Sequence, residues 1–264
     1  MPDDFLAAAR VSERALRSAE DAYVDELFAA APEFGAALVR AEFSRAYIDA
    51  NRDPWELDPD MFRDALPDAR LTRSPRVAHG LGAIPRTTAD GREIYARRLS
   101  LADAERRIAD FHAPYHAALS GLLEDRKRRF GAVVLIDCHS MPAQGAGRAE
   151  IVLGDRFGES CDPRLIGLIE QECRNLGLRV TRNAPYAGGY TTARYGRPGL
   201  SVSAVQIEIR RPLYMNEASL TKAPRKFARL KAQIDRLIAA ICDTPWESLL
   251  TEADKKQPRL RAAE

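Results

Sequence analysis

Residues 133–142 read VVLIDCHSMP, and this stretch decides the fold. Four apolar residues, three of them β-branched, form an unbroken run of the kind found in a buried strand of a helix-covered sheet. The run ends in Asp137, Cys138, His139 and Ser140 before Pro142 stops it. Sites in open α/β sheets lie beyond the carboxyl ends of the strands, so these four residues stand where a crevice begins. Working outward, IVLGD (151–155), LRVTRNAP (178–185) and SVSAVQIEIRR (201–211) read as further strands, and ALVRAEF (37–43) alternates like one. Helical spacing covers 13–30, where Leu16, Tyr23, Leu27 and Phe28 share a face, and then 100–129, 162–176 and roughly 221–242. Ser100 is a predicted N-cap with Asp103 three residues on, and Pro114 predicts a kink or a second helix. Residues 51–93 form a long loop-rich insertion, and a charged tail closes the chain. Helices alternating with strands predict one α/β domain over 1–264, with a mixed, largely parallel central sheet flanked by helices.

The composition narrows the function. With 40 basic and 38 acidic residues interspersed, the net charge of +2 argues against a nucleic-acid partner, which calls for a basic stripe. No stretch approaches the roughly 18 apolar residues of a membrane span. The four cysteines form no CxxC pair and read as reduced thiols. The expectation is a cytoplasmic protein, a monomer or small homo-oligomer, acting on a small molecule.

Several residues carry chemistry. His139 reads equally as a metal ligand or base and as a structural histidine. Cys138, next to it on a strand, faces the other way and reads as packing rather than as a nucleophile. In SAVQIEIRR, Gln206, Glu208 and Arg210 share the polar face. Glu208 is there either a general base or the partner of Arg210 or Arg211. SRAYIDANR concentrates Arg45, Asp49, Asn51 and Arg52, which suits substrate carboxylates or a surface ion-pair network. His112 and His116 sit four apart around Pro114, a spacing that favours packing and positioning over a metal site. His79 gives no independent signal. NAPYAGGYTTARYG lacks the GxGxxG spacing of a nucleotide loop and reads as a flap carrying Tyr190 or Arg194, or as a plain loop.

Seven pieces, SRAYIDANR, GLGAIPR, FHAPYH, VVLIDCHSMP, IVLGDRFG, RNAPYAGGYTTARYG and AVQIEIRRPLYM, occur in an order that resembles the N-formylglutamate amidohydrolase (deformylase) family. The resemblance spans about residues 20–215. It implies a zinc-carboxypeptidase-like α/β hydrolase that uses Zn2+ or another divalent metal. The implied reaction hydrolyses an N-acyl amino acid such as N-formyl-L-glutamate, an intermediate of histidine breakdown. On that resemblance His139 matches a metal ligand, Asp21 a carboxylate ligand with Glu20 as alternative, and Glu208 the glutamate that activates water. Arg45, Asn51 and Arg52 match the polar cluster that holds the substrate carboxylates.

One departure stands out. Members of the family begin with a strand ending in a PHSG-type motif whose histidine is the first metal ligand, and a Tyr-Pro step follows. This chain opens MPDDFL, with Met1 where that tyrosine would stand, so the first strand and its histidine are expected to be missing. A catalytic zinc takes three protein ligands plus water. Weak metal binding and an exposed sheet edge are the expected consequences. Either the natural protein is longer, the chain is an inactive relative, or His79, His112 or His116 supplies the third ligand. The first is favoured because the other motifs are intact.

Overall fold

The strand read over VVLIDC (133–138) does form, and it runs on beyond Cys138. In the computed structural model, which describes residues 1–88, 90–145 and 147–250, β1 spans Val133–Met141 and carries the reactive residues inside the ladder. The other strands of its sheet are β2 (Ile151–Gly154), β3 (Val180–Arg182) and β4 (Val202–Arg210), in the order β1-β4-β2-β3. β1 pairs parallel with β4, and β3 parallel with β2, while β2 and β4 run antiparallel, so the sheet is mixed and mostly parallel. β4, in the interior, is buried nearly throughout. β1 lies at an edge, and its six central residues are only half-buried, not enclosed on both faces as the apolar run predicts. A two-residue pair, β5 (Met215–Asn216) with β6 (Thr221–Lys222), stands apart.

The helices are α1 (Asp3–Ala8), α2 (Glu13–Arg17), α3 (Val24–Leu27), α4 (Pro75–Ala78) and α5 (Leu101–Arg107). They continue with α6 (Ala113–Phe130), α7 (Pro163–Asn175), α8 (Tyr190–Tyr195) and α9 (Pro224–Cys242). The chain divides into two compact units. One comprises Met1–Ala22 and Val39–Leu119, the other Tyr23–Leu38 and the chain from Ser120 onward.

Two expectations fail for local reasons. The single helix over 13–30 is broken into α2 and α3, because the Ser18 hydroxyl donates to the Ala15 carbonyl and Tyr23 takes a left-handed φ of 65°. Its apolar face is buried, but Leu16 belongs to the first unit and Leu27 and Phe28 to the second. ALVRAEF joins no ladder; Leu38 is exposed, and the following residues Tyr47 and Ile48 pack into the core instead.

Elsewhere the pattern holds. Ser100 and Asp103 form a reciprocal capping box on α5. Pro114 is accommodated because a π-helical turn over Ile108–His112 ends just before it and α6 starts at Ala113. Residues 51–93 hold single turns at Pro59–Met61, Asp68–Arg70 and α4, and an isolated bridge between Thr87 and Glu93. The first unit has two apolar clusters, one around Phe5, Leu16, Tyr47, Ile48 and Ile94, the other around Leu57, Phe62, Ile84 and Leu99. In the second, α9 buries Leu230, Ile234, Leu237 and Ile241 and packs against α7. No helix among the described residues is long and apolar enough to cross a membrane. The charged tail beyond residue 250 lies outside the described residues.

Candidate active site

Register places the chemistry. In the parallel pairing of β1 with β4, Asp137 stands beside Gln206 and His139 beside Glu208. Side chains two apart on a strand share a face, so these four form a two-by-two square on one side of the sheet. Antiparallel β2 adds Val152 opposite Glu208 and Gly154 opposite Gln206. Val152 packs with Met141, Ala149 and Tyr186, an apolar border to the square.

Two hydrogen-bonded pairs run along it. His139 Nε2 lies 3.0 Å from Asp137 Oδ1, both side chains about one-tenth exposed. The second carboxylate oxygen of Asp137 is buried and has no hydrogen-bond partner among the described residues. Gln206 Nε2 donates to Glu208 Oε1 at 2.7 Å, with both residues buried. Of the two arginines that follow Glu208, Arg210 donates to the Ala143 carbonyl and Arg211 to the Ser140 hydroxyl. Cys138 and Ser140 face the other side, where the half-buried Cys138 thiol donates to the Ile136 carbonyl.

The stretch after β3 is neither a bare flap nor a plain loop. Tyr190 and Arg194 lie on the short helix α8, where Arg194 donates to the Tyr190 hydroxyl at 2.8 Å and its guanidinium stacks over the rings of Tyr190 and Tyr195. Just before α8, the Gly189 amide donates to Gln206 Oε1 at 2.8 Å.

The first unit holds the second cluster. Arg45 forks between Asp21 (2.6 Å) and Asp49 (2.9 Å), and Ser44 donates to Glu20. Both acidic candidates of the N-terminal segment are therefore engaged by SRAYIDANR. Asp49 also accepts the Asn51 amide. Burial works against its charge, but Arg45 and Arg52 outweigh it and hold the carboxyl below its usual range. Burial pushes the Arg52 guanidinium down, with Asp49 opposing. Arg52 donates to the carbonyls of Leu81 and Asn51. His112 and His116, their ring centroids 4.4 Å apart, reach the carbonyls of Arg52 and Ala50. They clamp the backbone that presents Asn51 and Arg52. His79 bonds the Pro75 carbonyl within its own turn.

The donor set for a metal fits in kind but not in number. A histidine oriented by a carboxylate is the usual arrangement of a metal-ligating imidazole. Among the described residues, however, no three His, Cys, Asp or Glu side chains are grouped to hold an ion. No chemical step below is routed through a metal.

Sequence reasoning passed over Gln206 as the link to Glu208. The signal was present as the i, i+2 spacing of Q-x-E on a strand, but it needs the register to be read.

Paired carboxylate, imidazole and amide groups on one face of a mixed α/β sheet make up the candidate site, and comparison with known proteins gives the chain a family. Residues 1–215 match the model of the N-formylglutamate amidohydrolase family, to which the chain belongs. An N-formylglutamate deformylase of Pseudomonas aeruginosa is 31% identical over 224 residues, 79% of this chain and 78% of the relative. That of Pseudomonas putida is 30% identical over 205 residues, 75% and 71% of the two chains. The crystal structure of an N-formylglutamate amidohydrolase from Ralstonia eutropha JMP134 superposes with a TM-score of 0.87 at 39% identity, covering 92% of this chain and 88% of that one. These relatives are named as hydrolases of a linear amide.

Proposed function

We propose that this chain hydrolyses the N-acyl amide of an acidic amino acid, converting N-formyl-L-glutamate and water to formate and L-glutamate. The proposal places it in histidine breakdown, on a zinc-carboxypeptidase-like scaffold. The observation that carries the reading is the square of Asp137, His139, Gln206 and Glu208 on one face of the sheet, in a chain whose relatives are named for this reaction. Glu208 takes a proton from the attacking water as oxygen adds to the formyl carbon, then delivers it to the amine as the C–N bond breaks. Asp137 fixes the ring of His139. Asn51 and Arg52 are assigned to the substrate carboxylates, with Tyr190 and Arg194 as further contacts. Arg45 is assigned to holding Asp21 and Asp49, and through Asp49 the turn that carries Asn51.

A divalent cation, zinc by preference, is assigned to His139 and Asp21, where it would supply Lewis acidity to the amide carbonyl. The four free cysteines support a reducing, cytoplasmic setting.

Formate release from N-formyl-L-glutamate tests the reading, with metal content measured on the same preparation. His139→Ala and Glu208→Gln are each expected to lower kcat/KM by about 10²–10⁴-fold with the fold intact. Unchanged turnover in Glu208→Gln would remove the glutamate from this role. The grouping of fewer than three metal-ligand side chains among the described residues favours one second reading, a carboxylate-binding protein without turnover. That reading requires thermal stabilisation by N-formylglutamate in a preparation that releases no formate. Release of a different acyl group from a panel of N-acyl amino acids would reassign the substrate.

A further inference from the structure

Glu208 is held by an amide whose orientation is itself dictated by the backbone of a neighbouring loop. A glutamine side chain offers one acceptor and one donor group, and which way it faces follows from its neighbours. Gln206 has a backbone N–H on one side, that of Gly189 at 2.8 Å, which requires the amide oxygen there. The amide nitrogen must then face Glu208, to which it donates at 2.7 Å. A carboxylate is an acceptor and matches that donor.

The loop is in turn fixed by close packing. A Cβ on Gly154 would stand 2.6 Å from the Gly188 nitrogen and 2.7 Å from the Ala187 carbonyl carbon, both backbone atoms that cannot swing aside. Gly188 has φ +116°, a left-handed conformation that favours glycine, and a Cβ there would meet Thr192 Oγ1 at 2.6 Å. From the turn after β2, the Arg156 amide donates to the Ala187 carbonyl at 2.7 Å. Arg156 and Phe157 both have positive φ, and the Asn183 side chain braces them by accepting the amides of Asp155 and Phe157. Local strain of this kind persists where surrounding contacts over-determine it.

We infer that Gln206 is a positioning residue, through which the glycine-bearing segment 187–189 sets the orientation of the Glu208 carboxylate. The inference rests on the assignment of Glu208 as base, but the experiment separates the two. Gln206→Met removes the hydrogen bonds to Gly189 and Glu208 at nearly constant volume. Gln206→Glu keeps an acceptor for Gly189 and places a carboxylate against Glu208. Gly154→Ala alters no polar group and displaces the 187–189 backbone. Gly121→Ala is the control, since nothing lies within 4 Å of a Cβ at that helical position.

Both Gln206 variants and Gly154→Ala are expected to lose about 10–100-fold in kcat with KM little changed, as with other supporting groups around a reacting residue. Gly121→Ala retains full activity. Wild-type kcat in Gln206→Glu would show that the donor arm is unused and overturn the inference. If Glu208→Gln loses activity while the Gln206 variants do not, only the inference fails. If Glu208→Gln keeps full activity, or the wild type releases no formate, the assignment of the base fails.

A readout independent of turnover then decides the inference. The Gln206 side-chain amide resonance, identified by its loss in Gln206→Met, is expected to be protected from exchange and to move in both Glu208→Gln and Gly154→Ala. A Gln206 amide that exchanges like one in solvent, or that ignores Gly154→Ala, overturns the link.

Discussion

At the scale of single residues the first unit turns on Asp49, which draws charge from Arg45 and a backbone amide from Asn51. Its folded carboxyl is held below the usual range although burial alone would raise it. A depressed carboxyl stabilises the fold fully above its unfolded pKa of about 3.9, and the stabilisation is lost as pH falls through the folded value. Breaking a buried ion pair costs about 3–5 kcal/mol. Arg45 is 26% exposed, so water recovers part of that. Asp49→Asn is accordingly expected to cost about 2–3 kcal/mol at pH 7. Urea midpoints for both proteins at pH 7 and pH 3 should lie closer together at the lower pH, where protonation of the unfolded carboxyl has begun to remove the advantage; a gap unchanged between the two would mean that shape, not charge, is what Asn lacks. The sequence made this cluster visible, since Arg45, Asp49, Asn51 and Arg52 sit within nine residues of SRAYIDANR. It did not show that Arg45 would be shared with Asp21. That pairing joins positions 24 residues apart, and no local periodicity encodes it.

Elements with a cap in the sequence were legible, and those that depend on a partner were not. The capping box at Ser100 is written in a few adjacent residues. The break between α2 and α3 is not, because the apolar spacing continues across it while the burial changes unit. The extent of β1 was equally hidden. Polar residues ended the apolar run, yet β4 supplies a ladder partner as far as Met141, and only that register brings Asp137, His139, Gln206 and Glu208 together. Helix α7 offers a test on a single element. Asp162 caps it by accepting the Arg164 amide and forks with the Arg164 guanidinium, and the side-chain bond to Arg164 is the main reason its carboxyl is depressed. Asp162→Ala should cost about 1 kcal/mol, the usual loss on removing a side-chain cap. Asp162→Asn keeps the cap and loses the ionic fork. Because Arg164 is 39% exposed, that second loss should be smaller and fade at high salt and below about pH 4. Thermal melts of both variants in low and high salt separate the two contributions. Equal melting temperatures for Asn and Ala would assign the whole effect to charge.

At the scale of the whole molecule, the four cysteines all fall in the unit that carries the sheet, which makes them reporters of its integrity. Cys161 and Cys173 are essentially inaccessible, at 1% and 0% exposure. Burial pushes both thiols up to about 12, with the carboxylate of Asp155 adding to the effect at Cys161 and that of Glu172 at Cys173. A thiol reacts as its thiolate, so at pH 8 only about one molecule in 10⁴ carries the reactive form at either site, before access is considered. Cys138 and Cys242 are half-buried and lie nearer the surface. An aromatic disulfide reagent at pH 8 is therefore expected to label no more than these two in the native protein and all four in denaturant. Cys161 lies between the turn after β2 and α7, and Cys173 lies on α7 against the core, so neither can be uncovered by fraying of a terminus. Their labelling should follow opening of the unit as a body, its rate rising with urea in step with loss of helical signal. Fast reaction of Cys173 in native buffer, with α7 still folded, would mean that this helix detaches locally and that the packing of α7 against α9 is weaker than its buried Leu165, Ile166 and Ile169 indicate.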